Sequence, residues 1–194
     1  MAKKTFNDDV YGKITYKEGY WLLKDGIKFK IKDKEMIVKT EIDVYDEIYE
    51  EFNMGLLMEE LMQYYRENPD LIEADKAEKR KKEQKELYKK HLIDNIDKTT
   101  YNIEEAALQK RDELIKDETE ETFSKMVGKE KAKRVFEAET REEKLASLEL
   151  IRLRVLVDTI EITCRCDWFE FLGGGFVIFP DGSVEMFDID SMSI

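Results

Sequence analysis

The sequence predicts an α+β fold in which N- and C-terminal strands form one antiparallel sheet, with a central helical region packed on one face. Three observations carry that expectation. Apolar residues alternate with period two before residue 42 and again after residue 150, while between them the period is helical. The charged fraction of 40% is far above the globular norm of about 25% and is concentrated in the middle, as solvated helices require. Asp-Gly turns occur at both ends of the chain, at Asp25-Gly26 and Asp181-Gly182.

The N-terminal strands come first. Tyr11 to Tyr16 and Tyr20 to Leu23 read as two strands, and Asp25-Gly26 reads as the turn of a hairpin into Ile27, Phe29 and Ile31. Those three alternate with Lys28, Lys30 and Lys32, which puts lysine on the solvent face. Met36 to Val38 adds a further strand, so residues 1–42 are expected to form a meander. That unit is too small to stand alone, which favours a single domain over residues 1–194.

The helical region, residues 43–150, follows. Val44, Ile48, Phe52, Leu57, Leu61 and Tyr65 mark one helix, with Asp46, Glu47, Glu50, Glu51, Glu59 and Glu60 opposite. Asn68-Pro69 opens a second, highly charged helix running toward Lys98. Asn102 with Glu105 resembles a capping box opening a helix toward Gly128, and Thr140 with Glu143 repeats the signature before a short helix ending near Leu150.

In residues 151–194, Ile151, Leu153, Val155 and Val157 are expected on one face, with Arg152 and Arg154 on the other. Ile160, Ile162, Cys164 and Cys166 share the next buried face. Phe176 to Phe179 and Val184 to Ile189 flank Pro180-Asp181-Gly182-Ser183 as a closing hairpin.

The net charge of −12 is uneven: +4 over residues 1–40, −11 over 41–75, +2 over 76–154 and −7 over 155–194. Two acidic segments would repel nucleic acid, so no nucleic-acid partner is expected; a basic protein partner is. Acidic charge also serves solubility alone. The first residues lack an apolar leader and no window approaches a membrane span of about 18 apolar residues, so no membrane association and a cytoplasmic address are expected.

Catalytic signals are few. His91 is the sole histidine and has no nucleophile near it in sequence. Cys164-Arg165-Cys166 lacks the spacing of a redox motif and the second ligand pair of a zinc site, and points to buried structural thiols. Gly173-Gly174-Gly175 leads into a strand with no lysine after it, so a bulge or a close approach of backbones explains it better than phosphate binding. Asp167, Glu170, Asp181, Asp188 and Asp190 supply oxygen ligands without the spacing of a calcium loop. No cofactor or metal is expected, although a metal-dependent or hydrolytic enzyme using these carboxylates is one alternative. A scaffold pairing through the charged helix is another.

Tyr11-Gly12-Lys13-Ile14-Thr15-Tyr16, then Trp21, a helical middle, Cys166-Asp167-Trp168, a glycine turn and Asp181-Gly182 occur in that order. In this the chain resembles a group of uncharacterised bacterial domains, several of which accompany polymorphic toxins as candidate immunity proteins. The resemblance covers both ends, about half of the chain. In those domains the aromatic is often followed by an acidic residue and then Glu-His-Gly. Here Phe169-Glu170-Phe171-Leu172-Gly173 follows Trp168, so no role of that histidine carries over. The resemblance implies a non-enzymatic cytoplasmic protein that binds a cognate toxin, and the acidic segments suggest that it would do so by occluding a basic surface. The expected contact residues are Asp46, Glu47, Glu50 and Glu51 on the acidic helix, and Asp167, Trp168, Phe169, Glu170, Asp188 and Asp190 on the C-terminal edge. Trp168 and Phe169 are candidate aromatic anchors, although core packing against the sheet is the better reading of Trp168.

Overall fold

Alternation of apolar and polar residues builds the sheet first. The computed structural model of the chain describes residues 5–17, 20–32, 34–42, 74–169 and 173–188. Among them, nine strands form one sheet: β1 (Thr5–Asp8), β2 (Gly12–Lys17), β3 (Tyr20–Leu23), β4 (Ile27–Ile31), β5 (Lys34–Ile42), β6 (Glu149–Val155), β7 (Ile160–Arg165), β8 (Gly174–Ile178) and β9 (Val184–Asp188). Their spatial order is β1-β2-β3-β5-β6-β7-β8-β9, with β4 attached to β5. The fold is α+β, with helices on the sheet.

Two features of the pairing differ from expectation. β3 and β4 do not pair across Asp25-Gly26; β5 is long enough to take β4 along Lys34–Val38 and β3 at Glu41 and Ile42. The two ends of the chain meet through β5 and β6, which run parallel rather than antiparallel. Register there sets Thr40 beside Leu153 and Ile42 beside Val155, all buried. On the opposite face Glu41, only 3% exposed, pairs with Arg152 and with Lys39.

In β6 the expected face is also partly reversed. A bulge between Leu150 and Arg152 leaves Ile151 without a partner on β7 and turns it outward, so Leu150, Leu153 and Val155 are the buried residues. β4 and β7 follow the alternation as expected, burying Ile27, Phe29 and Ile31, and Ile160, Ile162 and Cys164.

The helices are α1 (Ala74–Tyr88), α2 (Ile96–Ile115), α3 (Glu120–Val127), α4 (Lys129–Glu137) and α5 (Arg141–Lys144), with a π-helical turn, Lys89–Ile93, between α1 and α2. The expected helix through Lys98 is therefore broken at that turn, and the helix expected to start at Asn102 already runs from Ile96. Asn102 does not cap it: its amide reaches across to donate to the Gly182 carbonyl at 3.0 Å. A capping box does start α3, built from Thr119 and Thr122, and the expected one at Thr140 and Glu143 starts α5, which stops at Lys144.

α2 touches β4 and β9, burying Ile103 and Ala107. α1 joins the two ends of the chain. Tyr11 donates to Gln84 at 3.1 Å, Gln84 donates to the Val155 carbonyl at 2.9 Å, and Lys85 pairs with Asp8 at 2.8 Å. Burial raises the Asp8 carboxyl, but hydrogen bonds from Lys85 and the amides of Tyr11 and Val10 outweigh it, and the net shift is downward. The helix expected over residues 43–66, with its acidic face, and the Asn68-Pro69 start lie outside the described residues. Among the described residues no helix is long and apolar enough to cross a membrane.

Candidate functional site

Just beyond the end of β7, Asp167 and Trp168 lie beside residues of α4 and α5. Helix α4 buries Ala132 and Val135, which sets Arg134 on the adjoining exposed side. Arg134 Nε donates to Asp167 Oδ2 at 2.7 Å, and the Asp167 amide donates to Ser147 Oγ at 2.9 Å. The Asp167 hydrogen bond holds the Arg134 guanidinium above its ordinary value. Glu143 accepts from the amides of Thr140 and Glu139, which lower its carboxyl.

Arg134, Glu143, Lys144, Ser147, Asp167 and Trp168 are on the walls of a pocket of about 170 Å³. Trp168 is 3% exposed, and its buried indole N–H has no hydrogen-bond partner among the described residues. Phe169 is also buried; its ring lies where a Cβ on Gly174 would come to 2.4 Å. Core packing, the role favoured for Trp168, is thus what the structure gives both aromatics, and Phe169 is not an exposed anchor. Gly173 adopts φ +82°, and a Cβ there would sit 2.3 Å from the Cys164 carbonyl oxygen. The triple glycine therefore permits a close backbone approach and makes room for Phe169.

The two thiols are buried, as expected for structural cysteines. Burial, then the hydrogen bond with Cys164, pushes the Cys166 thiol far up, so it stays protonated and is a poor nucleophile and ligand. Of the carboxylates weighed as metal ligands, Asp167 is paired with Arg134 and Asp181 accepts from the Ser183 amide and hydroxyl at 2.8 and 2.7 Å. Among the described residues no three His, Cys, Asp or Glu side chains gather as a metal site.

Of the expected contact residues, the pocket brings together Asp167 and Trp168. Asp188 ends β9, and Asp46, Glu47, Glu50, Glu51, Glu170 and Asp190 lie outside the described residues. Arg134, Lys144 and Ser147 were not expected at a site. Nothing local marks them, because Arg134 and Lys144 look like any cation of a solvated helix and Ser147 is joined to Asp167 only by the fold. Chemically, the pocket presents charge and hydrogen bonds of both signs in a small space. Compared with protein-family models, curated proteins and solved structures, the chain matches none.

Proposed function

We propose that the protein is a binding protein of the immunity type, which occludes a basic protein partner with its acidic segments. One observation carries this: −11 of charge within residues 41–75 and −7 within 155–194, against +4 and +2 elsewhere. Separation of charge on that scale raises the encounter rate with an oppositely charged surface, most strongly at low salt. Exposed acids at Asp181 and Glu185 extend the C-terminal part of this surface. Since Trp168 and Phe169 are buried, recognition rests on carboxylates, with Asp46, Glu47, Glu50 and Glu51 as the principal group.

The test is a search for a toxin-like gene beside this one and for a basic protein in a pull-down, followed by co-expression of the candidate with the native chain and with a variant in which Asp46, Glu47, Glu50 and Glu51 become Asn or Gln; finding neither a toxin-like neighbour nor a basic partner overturns the proposal. Rescue by the native chain, with association at least about tenfold slower for the variant at low salt, is expected. Equal rescue and equal association by both proteins would overturn the proposal.

A further inference from the structure

The pocket beside Asp167 carries more hydrogen-bonding capacity than its own walls use. Its charged wall groups are two cations, Arg134 and Lys144, and two carboxylates, Glu143 and Asp167, so their charges cancel. Among the described residues each keeps a function unspent. Arg134 donates through Nε alone, leaving both Nη groups, and Lys144 has no ion-pair partner. Glu143 takes the Glu139 and Thr140 amides on Oε2, and Asp167 takes Arg134 on Oδ2, which leaves Oε1 and Oδ1. Ser147 Oγ accepts from the Asp167 amide and still has its own proton to donate. Trp168 adds an independent observation. Arg111, whose buried Nε is also unbonded, is paired with Asp112 through Nη1, whereas the indole has no second polar atom. An unmet buried donor is destabilising, and an acceptor placed beside it removes that penalty.

We infer that this pocket binds a small zwitterion, an α-amino acid with an aliphatic side chain. The ligand carboxylate faces Lys144 and the Arg134 Nη groups and is the acceptor that Trp168 lacks, while the ammonium faces Glu143 and Asp167. Val135, Ala138 and Ala146 supply the apolar wall for its side chain. The volume of about 170 Å³ holds roughly five waters at about 30 Å³ each, which suits a molecule no larger than a small aliphatic amino acid. A simple anion would meet two carboxylates there and a simple cation two cations, whereas a zwitterion meets a partner for each of its charges. The indole N–H is buried, so a ligand oxygen reaches it by displacing part of the wall, and the indole resonance reports that contact. This site does not depend on partner occlusion.

The native chain is titrated with L-alanine, L-valine and L-leucine to about 20 mM, followed by calorimetry and by the indole N–H resonances in NMR. At least one is expected to bind with a Kd of about 1 mM or tighter and to move the Trp168 indole resonance downfield. The deaminated and decarboxylated counterparts of the tightest binder (isovalerate and isobutylamine in the case of valine) should each bind about tenfold more weakly or worse. Lys144→Met, at a half-buried position with no ion pair to lose, should stay folded and weaken binding by about tenfold. Should that variant not fold, the titrations of the native chain decide. No binding by any of the three amino acids, a counterpart that binds as tightly, a Trp168 resonance unmoved at saturation, or unchanged binding by folded Lys144→Met would overturn the site.

Discussion

The two Asp-Gly turns sit in opposite halves of the sheet and do different work. Gly182 (φ +91°) closes a true hairpin, in which Phe179 and Ser183 bond at 3.0 Å and β8 pairs with β9 along its whole length. Gly26 (φ +66°) lets the chain leave β3 and enter β4, two strands that do not pair; both are gathered by β5. Around Gly182 the neighbours are side chains of the helical layer, whereas a Cβ at Gly26 would lie 2.6 Å from the Val38 carbonyl oxygen. The same dipeptide thus provides a positive φ in both places, and the strand that follows is chosen by what lies beyond the turn.

That contrast gives an ordered set of expectations for stability, measured by chemical denaturation. Gly26→Ala combines a left-handed backbone with a clash against rigid backbone and should cost about 3–4 kcal/mol. Glu41→Ala, which removes the buried partner of Arg152 where the two halves join, should cost about 2–3 kcal/mol. Gly182→Ala meets only the edge of the His91 ring and should cost about 1–2 kcal/mol, less than Gly26→Ala. Asn102→Ala loses one neutral hydrogen bond to the turn and should cost about 1 kcal/mol. If Gly182→Ala proved the costlier glycine substitution, the contrast between the turns would be reversed.

What could be read from the residues was mostly local. Thr140 and Glu143 form their capping box because every partner lies within four residues, and Ile27, Phe29 and Ile31 are buried because alternation alone decides a strand's two faces. Asn102 carries the same kind of signature, yet it lies inside a helix that already runs from Ile96, and its side-chain amide donates to the Gly182 carbonyl 80 residues away. Ile151 faces outward because a bulge adds one residue to β6, and a bulge depends on the partner strand. The parallel join of β5 to β6 and the Arg134–Asp167 pair arise from topology and have no local signal. At the candidate site, the buried thiols and the close-approach glycines were legible, while the pocket's cations were not.

The join between the halves is where the fold as one unit stands or falls. α1 ties Tyr11 to Val155 through Gln84, and β5 pairs with β6, so both halves should unfold together. The chain's two tryptophans make this measurable, since Trp21 lies in β3 and Trp168 follows β7. Urea titrations of Trp21→Phe and Trp168→Phe, each corrected for its own loss of stability by far-UV circular dichroism, place one fluorophore in each half. Fluorescence and circular dichroism midpoints that coincide in both variants are the expected result. Midpoints separated by more than about 0.3 M in either variant would contradict a single cooperative sheet.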